Sequence, residues 1–66
     1  MNYLLKALIA KLKGEVEVAK ANVMVYTRNS TGIGEHPEIV EAIETQIEKI
    51  ANAEEKIATI ETHFSR

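Results

Sequence analysis

The residues with the most chemical potential lie together in the stretch RNSTGIGEHP at positions 28–37, where Gly32 and Gly34 precede Glu35, His36 and Pro37. Two kinds of chemistry suit such a segment. Free backbone amides at a helix start following glycines can bind an anion, and an imidazole beside carboxylates can ligate a metal. Neither pattern is complete. No Lys, Ser or Thr follows Gly34 in the phosphate-binding spacing, and Glu35 and Glu38 bring the wrong charge to an anion site. His63 belongs to the far end of the following segment, so the two histidines cannot meet within one hairpin and a metal site would need a second chain. The glycines are therefore read as turn residues. His36 is the side chain that backbone geometry explains least. Asn29-Ser30-Thr31 has the form of an N-glycosylation acceptor, but without a secretory signal it is also read as a turn.

A second candidate is basic. Lys6, Lys13 and Lys20 repeat every seven residues and Lys11 lies beside them. This column invites comparison with small RNA-binding helical hairpins of the plasmid copy-number type, which are similar in size and architecture though not in motif. A formal net charge of −2 opposes a dominant nucleic-acid footprint. With one Phe, two Tyr and no Trp, bases would find few rings to stack on. The apolar start MNYLLKALIAKLK is interrupted by Lys6 and Lys11 and has no basic leader, so neither a signal peptide nor a membrane span is expected. Cysteine is absent, which excludes disulfides, thiolate metal sites and a Cys nucleophile. General acid–base catalysis needs a pocket that perturbs its groups, and a thin helical chain offers none. The expectation is a cytoplasmic protein that is not an enzyme and carries no cofactor.

The elements that position these residues follow from periodicity. Residues 2–28 contain no proline and only Gly14 as a weak point, while 38–64 contain neither glycine nor proline. The reading is one domain over 1–66, with a helix at about 2–28, a loop at about 29–36 and a helix at about 37–64. Arg28 suits the negative end of the first helix and Asn29 its left-handed stop, whereas Pro37 suits the first position of the second.

Both helices carry an uninterrupted heptad. The first places Asn2, Ile9, Val16 and Val23 at a, and Leu5, Leu12, Ala19 and Tyr26 at d. The second places His36, Ile43, Ile50, Ile57 and Phe64 at a, and Ile39, Gln46, Ala53 and Ile60 at d. A short connection favours antiparallel neighbours. In that arrangement Leu5 faces Ile60, Ile9 faces Ile57, Leu12 faces Ala53, Val16 faces Ile50, Ala19 faces Gln46, Val23 faces Ile43 and Tyr26 faces Ile39. The residue numbers of every pair have a nearly constant sum, as antiparallel packing requires. Flanking charges agree in sign, with Lys6 opposite Glu61, Lys13 opposite Glu54 and Glu15 opposite Lys49. The fold class expected is all-α, an antiparallel two-helix hairpin resembling a coiled coil.

A two-helix hairpin does not close a core, and apolar residues remain after the seam is used. Leu4, Leu8, Val18 and Val25 lie on an adjoining arc of the first helix, beside a column of small residues at Ala7, Gly14 and Ala21. Val40, Ile47, Ala51 and Ala58 lie outside the seam of the second helix, whose solvent face is marked by Glu41, Glu48 and Glu55. Burial of the first helix on two sides is satisfied by a homodimer forming a four-helix bundle, with a tetramer as the alternative. Scattered surface Val and Ala are the simpler explanation of the same residues.

The stretch GIGEHPEIVEAIETQIEKIANAEEKI at 32–57 resembles a group of short, uncharacterised proteins of tailed phages and marine bacteria. The GIGEHP turn is the most specific element of that resemblance, which covers the loop and most of the second helix. It implies a phage or bacterial accessory protein, in the host cytoplasm if phage-encoded, and assigns no functional residue. The function expected is that of a structural or protein-interaction module. The alternative is an RNA- or DNA-binding dimer using Lys6, Lys11, Lys13 and Lys20.

Overall fold

A computed structural model describes residues 2–28 and 37–65, with Pro37 described in its backbone alone. Helix α1 spans Tyr3–Arg28 and helix α2 spans Pro37–Phe64. They pack against each other along their length as a helical hairpin measuring 49 × 14 × 11 Å. The expected turn at 29–36, with Asn29, Gly32, Gly34, Glu35 and the seam position of His36, lies outside the described residues.

Local chemistry accounts for where the helices begin and end. Asn2 caps α1: its Oδ1 accepts a hydrogen bond from the Leu5 amide at 2.9 Å, and its carbonyl accepts the Lys6 amide at 3.0 Å. A side-chain oxygen here satisfies one of the four amides that lack a partner at a helix start. Arg28 occupies the last turn of α1, where the partial charge is negative. Helix α2 opens on Pro37, which has no amide to leave unbonded, and Glu38 lies in its positive first turn.

Among the described residues Leu12, Ala19, Ala53 and Ile60 are the buried apolar ones, at 2, 1, 3 and 7% exposure. Leu5, Ile9, Val16 and Ile57 pack partly buried against Leu12, Ala53 and Ile60. All of them are a or d positions of the two heptads, and Val23, Tyr26, Ile39, Ile43 and Ile50 are also partly buried. Small alanines on both helices let the two backbones approach, and the branched residues fill the space beside them.

Three details differ from the sequence reading. Asn2 is exposed and caps α1 instead of entering the seam. Phe64, assigned to the last a position, is 54% exposed; α1 starts at Tyr3 behind its polar cap, so no apolar seam residue stands opposite. The ring of Phe64 instead meets that of His63 edge-on, with centroids 6.2 Å apart. The expected interhelical ion pairs are also not made. Among the described residues the pairs are Lys11–Glu15 at 3.0 Å and Lys20–Glu17 at 3.3 Å, each within α1. Glu15 thus bonds one turn back in its own helix instead of reaching Lys49. At an exposed flank, where attraction is weak, the local partner requires less ordering of two long side chains.

Candidate functional site

The outer face of α1 carries the longest apolar feature. Leu4, Val18 and Val25 are 65, 63 and 54% exposed, and Leu8 is also exposed. Ala7, Gly14 and Ala21 are exposed beside them. Leu4, Ala7, Gly14, Val18, Ala21 and Val25 share one face of the helix because they follow its period, whereas Leu8 flanks the seam and lines a groove with Asn52, Lys56 and Ile60 of α2. A Cβ built on Gly14 meets nothing within 4 Å. No contact inside the hairpin therefore requires glycine, although glycine costs a helix interior about 1 kcal/mol relative to alanine.

An open groove of about 640 Å³ adjoins this face, lined by Gly14, Val18 and Ala19 on α1 and by Ala53 on α2. Polar groups from both helices border it: Lys11, Glu15, Asn22, Gln46, Lys49, Asn52 and Lys56. At its floor Asn22 Nδ2 donates to Gln46 Oε1 at 3.1 Å. Gln46 is 8% exposed and is the buried polar residue of the seam. No buried side-chain polar atom among the described residues is left without a partner. The pairing of Asn22 with Gln46 was missed in the sequence because Asn22 falls on a flanking position. The signal available was Gln46 itself, since an amide at a d position needs a partner from the facing helix.

Lys11 lies apart from Lys13, which shares one heptad column of α1 with Lys6 and Lys20. Lys11 lies on the groove just described and bonds Glu15, while Lys20 bonds Glu17. Lys13 lines a different groove, on the opposite flank, together with Glu17, Glu54 and Glu61. Within that groove three carboxylates accompany one ammonium, which offsets its positive field locally. On α2, Val40 and Ile47 are exposed apolar residues two turns apart, at 66 and 50% exposure.

Both grooves are open to solvent, and their ionic groups are exposed ends of long side chains. Among the described residues no group of three or more metal-ligating side chains comes together, and no helix is long and apolar enough to cross a membrane. No protein-family model, curated protein or solved structure matches the chain.

Proposed function

We propose that this chain is a small, non-enzymatic structural or protein-interaction module that works as a homo-oligomer. Two hairpins join through the outer face of α1 to form a four-helix bundle in the cytoplasm. The observation that carries this reading is the set of exposed apolar and small residues Leu4, Ala7, Leu8, Gly14, Val18, Ala21 and Val25, interrupted by Lys11, on a helix whose seam side is already packed. Exposed apolar surface of this length, on a hairpin with four buried apolar side chains among the described residues, is stabilised by a partner. Val40 and Ile47 supply a second contact for a tetramer. The GIGEHP turn supports a place among phage or bacterial accessory proteins. A nucleic-acid role for the lysines has less support, because carboxylates accompany Lys11, Lys13 and Lys20.

Sedimentation velocity tests the reading. The wild-type chain is expected at twice its 7.4 kDa mass or more, and Gly14→Glu is expected to sediment as a monomer with its helical circular dichroism retained. A monomeric wild type, or a Gly14→Glu variant of unchanged mass, would reject this interface. Retention on immobilised RNA or DNA that weakens steeply with salt would favour the nucleic-acid reading instead.

A further inference from the structure

Resting on that self-association, we infer that the second copy lies antiparallel on α1, about a two-fold axis at Gly14. The exposed positions 4, 7, 11, 14, 18, 21 and 25 alternate in steps of three and four, a second heptad row on α1 outside its buried seam with α2. Its residues are Leu4, Ala7, Lys11, Gly14, Val18, Ala21 and Val25, and on reversal the row matches itself in kind at every position except Lys11 against Val18. Ala7 and Ala21 stand seven residues on either side of Gly14, and Leu4 and Val25 close the two ends. Reversing one copy brings alanine onto alanine, glycine onto glycine and Leu4 onto Val25. In an isologous contact residue i meets residue j and j meets i, so a row that sets small residue against small residue on reversal lets two copies of the same face approach closely.

Charge selects the direction. Lys11 is the ionic residue within the row, and its Nζ already lies 3.0 Å from Glu15 Oε2. In a parallel pair Lys11 would face Lys11 of the second copy. In the antiparallel pair it faces Val18 of the second copy and comes beside that chain's Glu15, so that two Lys11–Glu15 pairs alternate in sign around the axis. Gly14 fits the same point. With nothing within 4 Å of its missing Cβ, it leaves room at the axis for two backbones to approach closely. The contact runs from Leu4 to Val25, roughly 30 Å of helix at 1.5 Å per residue.

The chain has no cysteine, so single thiols report the arrangement directly. Ala7→Cys and Ala21→Cys are prepared separately, checked for helicity, and oxidised alone and as a mixture. The antiparallel pair predicts a disulfide between Ala7→Cys and Ala21→Cys chains in the mixture and none in either sample alone, since bridging needs Cα atoms about 4.4 to 6.8 Å apart. Isotope-filtered contacts between the methyls of Leu4 and Val25 in a mixed-label sample of the unmodified chain give the same information without substitution. Homodisulfides in the separate samples, or a dimer showing neither the mixed disulfide nor the methyl contacts, would overturn the axis and leave self-association standing. A monomeric wild type at hundreds of micromolar would overturn both.

Discussion

Asn22 on α1 donates its side-chain amide to the side-chain oxygen of Gln46 on α2 at 3.1 Å, joining the two helices within their seam. Gln46 is nearly enclosed while Asn22 is half-buried, so the bond ties a polar group that water barely reaches to one that remains hydrated. Asn22→Ala removes the partner and is expected to lower stability by about 1 kcal/mol, at the lower end for a stranded amide because the groove admits solvent. Urea denaturation measures it; an unchanged midpoint would show that water replaces the bond without loss.

Gln46→Leu should act in the opposite direction. Apolar packing at a d position is expected to raise stability by about 1 kcal/mol while removing a polar constraint on register. Thermal denaturation reads the first effect. The second is read from amide NMR spectra, where extra or broadened peaks are expected. A sharper, single set of resonances would mean that the aliphatic seam suffices to set the register.

Asn2→Ala should fray the start of α1 and cost about 1 kcal/mol, whereas Asn2→Asp should retain the cap, with its added charge favourable at that end. Denaturation midpoints ordered wild type, Asp and Ala without distinction would disprove the capping role.

Leu12→Ala and Leu4→Ala separate the two faces of α1. The first removes a side chain 2% exposed and should cost about 2 to 3 kcal/mol, enough to compromise a hairpin of this size. The second removes one 65% exposed and should leave hairpin stability nearly unchanged in dilute solution while raising the dissociation constant of the assembly. Equal losses from both at low concentration would place Leu4 in the intramolecular core.

Lys6→Gln and Lys13→Gln should each change stability by less than about 0.5 kcal/mol, since neither lysine makes an ion pair with its expected opposite number. A loss above 1 kcal/mol that disappears in high salt would show that Lys6–Glu61 or Lys13–Glu54 forms in solution.

The seam was legible because periodicity is a property of the chain itself. Once Leu5, Leu12 and Ala19 are placed on one side of α1, and Ala53 and Ile60 on one side of α2, the pairing of the helices is nearly determined. The exposed stripe followed by subtraction, as the apolar residues left over. Less was legible where several weak interactions compete. Glu15 is opposite in sign to both Lys11 and Lys49, and sign alone does not show that the nearer residue wins. Asn2 satisfies the heptad as well as the cap; the unpaired amides at the helix start decide its role. Asn22 carries no periodic signal, and its importance emerges only when the burial of Gln46 is known. His36 lies outside the described residues, so its contribution rests on the sequence alone.

A body 14 Å by 11 Å in section leaves little interior away from water. Opening one turn of either helix hydrates a substantial share of the local seam without disturbing the far end. Amide hydrogen exchange should therefore proceed through short, independent breaths, with the slowest protons around Leu12 and Ala53 and rates rising towards both ends. Association of two hairpins would slow the amides along α1 more than those on the glutamate-lined outer side of α2, so the difference between the two helices would itself record the assembled state.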